Sequence, residues 1–128
     1  MNPPNNNNKT EHRQEYRLKD SATVFIELIA ESPEGDPAEI QISSSVDLSA
    51  NGLQITTDQP LPVQSIYQAA IQFFDKRDRI PLTVQVRWCR FNEDSSNYHV
   101  GLAVLDDSDS RLGDWKMDIS QRLMNIEN

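Results

Sequence analysis

The chain of 128 residues has one cysteine, two histidines, fewer cations than anions and no long apolar run. Each shortage removes a class of function. A lone cysteine, Cys89, excludes an internal disulfide and a cysteine-built zinc site. It lies in "VQVRWCRF", where a small strand residue, buried or half-buried, is the natural reading. The histidines, His12 and His99, show no spacing that suggests a metal site or a nucleophile–base pair. His99, in "YHVG", reads as a satisfied or exposed strand residue, and Asp106-Asp107 reads as the acidic start of a helix, so catalysis is not expected. No segment approaches the roughly 18 apolar residues of a membrane span. The opening "MNPPNNNNKTEH" lacks the apolar stretch of a signal peptide or anchor, which makes the cytoplasm the expected compartment.

The formal charge is −8, which opposes non-specific binding to duplex nucleic acid and to anionic membranes. An anionic ligand must therefore meet a local exception. Two exist. Lys9, Arg13, Arg17 and Lys19 stand against Glu11 and Glu15, while Lys76, Arg77 and Arg79 in "DKRDR" stand against Asp75 and Asp78. The second reads as a solvated turn between strands. The length fits one domain with a modest core.

Residues 1–10 are Pro/Asn-rich and are expected to lack structure alone. From Ala22 the pattern turns β-like. "ATVFIELIAE" places Val24, Ile26 and Leu28 on one face; "SPEGDPAE" is a loop; "IQISSSVDL" and "LQITT" are strands parted by "SANG", whose Asn51-Gly52 suits positive φ. "QSIYQAAIQFF" fits a helix face and a strand face, and its proline-bounded β neighbours favour strand. "LTVQVRWCRF" puts Leu82, Val84, Val86 and Trp88 on one face, and "YHVGLAVL" follows the polar turn "NEDSSN". The period then changes: Leu112, Trp115, Ile119, Leu123 and Ile126 form one helical stripe, with Ser108 or Ser110 as its cap. Six short strands and one terminal helix predict an all-β antiparallel barrel with the helix covering an open face or end.

Arg13-x-x-x-Arg17, taken alone, is a weak signal, and Asp47-x-Ser49-x-x-Gly52 is no more than a turn whose Asp or Ser bonds its own backbone. Their order carries more: an arginine pair directly before the first strand, then the second motif at the junction of the next two. In this the chain resembles the PilZ domain family, bacterial receptors for cyclic di-GMP. The likeness runs from about Glu11 to Leu105 and takes in "LPVQS", "PLTVQVRW" and "YHVGLAV". It implies a six-stranded PilZ-type barrel with a C-terminal α-helix, and it makes "QSIYQAAIQFF" a strand. The expected organisation is a tail over 1–10 and a PilZ domain over 11–128, with an arm at 11–21, a barrel at 22–105 and a helix at 109–126.

The resemblance makes Arg13, Arg17, Asp47, Ser49 and Gly52 the ligand-binding residues for cyclic di-GMP. The chemistry is sensible. The planar guanidinium pairs bidentately with phosphate or with the guanine O6/N7 edge, and it stacks on bases. The Asp47 carboxylate can accept from guanine N1–H and its exocyclic amine; Ser49 can donate to a phosphate or base edge; Gly52 permits close backbone approach. His12 stands where many members carry another arginine, so it is an accessory candidate and leaves one ligand or a stacked pair open. The expected action is a disorder-to-order closure of the arm that a protein partner with a basic patch reads. By resemblance the setting is signalling of the kind that governs motility and biofilm formation. No cofactor, nucleic-acid polymer or membrane insertion is expected. A monomer is expected, with dimerisation through the helix stripe as the alternative. The rival functions are a PilZ-like adaptor without ligand and an oligonucleotide-binding barrel; the charge and an aromatic set expected mainly in the core oppose the latter.

Overall fold

The computed structural model describes residues 21–127, without the side chains of Ile126 and Glu127. Arg13, Arg17 and His12 therefore lie outside the described residues. Six strands, β1 (Ala22–Ile29), β2 (Glu39–Leu48), β3 (Gly52–Thr57), β4 (Ile66–Phe73), β5 (Ile80–Asn92) and β6 (Asn97–Leu105), are followed by α1 (Leu112–Glu127). They close into a barrel in the order β1-β2-β3-β6-β5-β4, every pair antiparallel.

The alternating pattern does what it predicts over most of the wall. Val24, Ile26, Ile55, Ile71, Leu82, Val84, Val86 and Val100 point inward and are wholly buried. In β4 the strand face wins, with Ala69, Ile71 and Phe73 in the core. Three β-bulges interrupt the alternation, between Glu27 and Ile29, Ser45 and Asp47, and Val86 and Trp88. The third corrects the sequence reading. One extra residue in β5 reverses the side-chain phase, so Trp88 leaves the face of Leu82, Val84 and Val86, and Cys89 packs against the core instead. Cys89 is the half-buried residue expected.

The helix lies across one end of the barrel. Trp115 and Ile119 are buried in the core, and Leu112 and Leu123 pack beside them. Trp115 stacks on Phe73 with ring centroids 6.0 Å apart. The Arg122 guanidinium covers the Phe73 ring at 3.6 Å. The helix begins at Leu112, and Ser110 does not cap it: the Ser110 hydroxyl is buried without a hydrogen-bond partner.

Nor is "DKRDR" only a solvated turn. Asp75 accepts from Arg122 at 2.8 Å, Lys76 pairs with Asp118 at 3.1 Å, and Arg122 also donates to Asp118 at 2.5 Å. These charges tie the exposed β4–β5 connection to α1. The aromatic residues also depart from expectation. Among the described ones only Phe73 and Trp115 are fully buried, while Phe74 and Phe91 are exposed. Strand-face alternation and bulges put them outside.

Candidate functional site

The β2–β3 turn is the structural centre of the second motif. Backbone N–H and hydroxyl of Ser49 both donate to the Gly52 carbonyl, at 2.9 and 3.1 Å. Ser49 is fully buried, and its carbonyl accepts from Trp115 Nε1 at 3.0 Å. Its hydroxyl proton is thus spent on holding the turn. Gly52 does not adopt positive φ, and neither does Asn51. Glycine is needed at 52 for another reason: a Cβ there would run into the Leu102 carbonyl of β6. The close approach expected of Gly52 is present, and the positive φ is not.

Asp47 follows the β2 bulge and is nearly buried. Its register partner is Gln54 on β3; Gln54 pairs with Gly101 on β6; Gly101 pairs with Trp88 on β5. Directly opposed residues share a face. Asp47, Gln54, Gly101 and Trp88 therefore form one row across four strands of the outer wall. Gly101 has no side chain, and a Cβ there would strike the Trp88 ring. Its absence lets the indole lie flat over β6. Two of the three bulges immediately precede members of this row and aim their side chains into it.

Three members of the row, Gln54, Gly101 and Trp88, floor a shallow cleft of about 180 Å³ that Ser49, Gly52 and Arg87 also line; Asp47 is not among its lining residues. Arg87 is exposed, and the Arg90 guanidinium sits over the Trp88 ring at 4.8 Å. Sequence reasoning missed Arg87, Trp88 and Gln54. The signal was present only in part: an Arg-Trp pair in a strand, whose outward direction depends on a bulge. His99 is satisfied, with Nε2 placed 3.2 Å from Asn92 Nδ2.

The start of β1 belongs to the same end of the barrel. Thr23 pairs with Ser44, and Ala22 N–H donates to Ser45 Oγ at 3.0 Å. Ser21 and Ala22 therefore lie beside the β2 residues that lead to Asp47. Arg17 is four residues from Ser21, a span of at most about 14 Å.

Comparison with known proteins bears on the fold. The sequence matches the PilZ domain family over residues 11–115. Among solved structures, the chain is similar to the inhibitor of motility MotI/DgrA of Bacillus subtilis, with a TM-score of 0.68 and 17% identity. That match covers 97% of this chain and 57% of the other, so the chain spans little more than half of that protein. It is also similar to the PilZ domain of YcgR from Escherichia coli, solved with c-di-GMP, with a TM-score of 0.59 and 10% identity over 91% of this chain and 92% of that one. No curated protein sequence matches the chain.

Proposed function

The chain belongs to the PilZ domain family, and from that premise we propose that it is a receptor for cyclic di-GMP that signals to a protein partner rather than an enzyme. One observation carries the reading: β1 begins at the barrel end that bears Asp47, four residues after Arg17 in the sequence. In this reading Arg13 and Arg17 close over the dinucleotide as the arm is ordered, pairing with phosphates and guanine edges. Asp47 accepts from guanine N1–H and the exocyclic amine. Trp88 offers a base the face that the Arg90 guanidinium covers, with Arg90 giving way, and Arg87 adds positive charge at the cleft wall. Ser49 and Gly52 act mainly by fixing the turn that presents Asp47, and His12 bears on how many ligands bind. The YcgR domain, solved with c-di-GMP, shares the fold and supports the reading.

The test is calorimetric titration of cyclic di-GMP into the wild type, Arg13→Ala/Arg17→Ala and Trp88→Ala. Saturable binding is expected in the wild type. Each lost arginine should cost about 1–3 kcal/mol, and the lost stacking face of Trp88 about 1–3 kcal/mol. Wild-type protein that takes up no cyclic di-GMP at high concentration would refute the receptor reading.

A further inference from the structure

Away from the cleft, the outer wall of β1, β2 and β4 exposes an apolar surface. Phe25 pairs with Ile42 on one side and Ala70 on the other, and Glu27 pairs with Ile40 and Gln68. Ile42 is 63% exposed, Ile29 58% and Ile40 45%. A concavity of about 420 Å³ opens among Phe25, Ile40, Ile42 and Ala70, with Glu27 and Arg79 at its margins. The Arg79 guanidinium rests on the Phe25 ring at 3.8 Å. Folding has no use for isoleucines left in water, and two side by side on one strand face next to Phe25, with exposed Ile29 at the barrel end nearby, are more than scattered exposure explains.

Its occupant is constrained in two ways. The barrel is closed, so a partner cannot extend the sheet and must read side chains. Arg79 apart, the charge around the wall is negative. From Ser21 to Asp75 the sequence contains no Lys, Arg or His and eight carboxylates. Glu31, Glu34, Asp36 and Glu39 are exposed on the β1–β2 connection, and no ion pair engages them among the described residues. A second copy would set these carboxylates against their like, with Arg79 alone to offset them. Nucleic acid and anionic lipid are repelled for the same reason.

We propose that this wall docks a cationic amphipathic segment of a partner protein. The apolar side chains of that segment would cover Phe25, Ile40 and Ile42, and its Lys or Arg residues would meet Glu27, Glu31, Glu34 and Glu39. The surface lies toward the β1–β2 connection. The proposed ligand site lies toward the other end of these strands, with Asp47 five residues beyond Ile42 on β2, about 17 Å along the strand. The inference therefore stands apart from the ligand reading.

The test is NMR titration of the labelled full chain with a synthetic Leu/Lys amphipathic peptide and with its Leu/Glu counterpart. The Leu/Lys peptide should saturably shift amides of residues 25–42 and 68–70, and the Leu/Glu peptide should not. Ile42→Ser/Glu34→Lys should weaken the Leu/Lys peptide at least about tenfold, with unchanged melting and unchanged cyclic di-GMP titration. The proposal is overturned by no binding, by shifts equally strong around Asp106–Asp114, or by binding that survives in the double variant. It is also overturned by light scattering that shows a dimer which Ile42→Ser dissolves, since the wall would then belong to a second copy. A chain that fails to bind cyclic di-GMP yet docks the peptide at this wall would refute the receptor reading and leave this one intact.

Discussion

The two turns that flank β2 are held by different means. At its far end, the turn from Ser49 to Gly52 has its own Ser49–Gly52 bonds but is also fixed from outside itself: the Trp115 indole donates into it, and Gly52 lies close against the Leu102 carbonyl. At its near end, the β1–β2 connection is held by its own short-range bonds. Gly35 N–H donates to Ser32 O and Ser32 N–H to Asp36 O, both at 3.0 Å, and Gly35 takes φ 96° with open space around it. A turn pinned by distant residues transmits what happens to them, whereas a turn closed on itself does not. The motif turn is thus mechanically part of α1, and the acidic connection is independent of it.

Removing the pin should have the largest effect. Trp115→Ala empties a fully buried site and should cost about 3–5 kcal/mol in chemical denaturation. Trp115→Phe keeps most of the ring but leaves the Ser49 carbonyl without its donor, for a smaller loss of about 1–3 kcal/mol. A Trp115→Phe variant as stable as wild type would show that packing alone holds the turn.

The glycines come next. Gly52→Ala meets backbone that no rotamer can relieve and should cost about 1–3 kcal/mol. Gly35→Ala meets nothing and suffers only its left-handed φ, about 1 kcal/mol. Denaturation of the two variants side by side checks the order; equal losses would erase the contrast between the turns.

The smallest expected effect concerns acid. Asp75 has its pKa lowered, chiefly by the Arg122 hydrogen bond, and it anchors α1 to the β4–β5 turn. A depressed carboxylate stabilises the fold above its unfolded pKa, and that stabilisation fades as pH falls through the folded value, below about pH 4. Hydrogen exchange should then rise in α1 and the motif turn before it rises in the β1–β2 connection. Asp75→Asn should flatten that acid response. An unaltered response would place the acid sensitivity elsewhere.

Much of this was legible beforehand. Strand-like patterning identified five of the six strands, β4 followed only from its proline-bounded neighbours and the family resemblance, and Trp115 and Ile119 lie in the predicted helical stripe. The motif spacing pointed to a turn with a glycine that something approaches closely. What escaped were the bulges, because a single added residue leaves the apolar pattern readable while reversing its sense. Trp88 was therefore assigned inward when it lies on the outer row opposite Gly101. Ser43 shows the converse: a polar residue in the pattern proves to be buried, its hydroxyl without a partner. The helix start escaped as well, since Ser108 and Ser110 look like caps and only the packing of Arg111 N–H on the Pro81 carbonyl shows where the helix is seated.

The row from Asp47 to Trp88 is also a gauge. It crosses three inter-strand gaps, and because the Trp88 indole reaches back over Gly101, its carboxylate end and its indole stand about two gaps, or about 10 Å, apart. A molecule that engages both ends needs two recognition groups set that far apart. A mononucleotide carries one base and can satisfy one end at a time, however well its guanine suits either. In a receptor of the kind proposed above, discrimination against guanine mononucleotides would be a matter of length, set by the spacing of the strands.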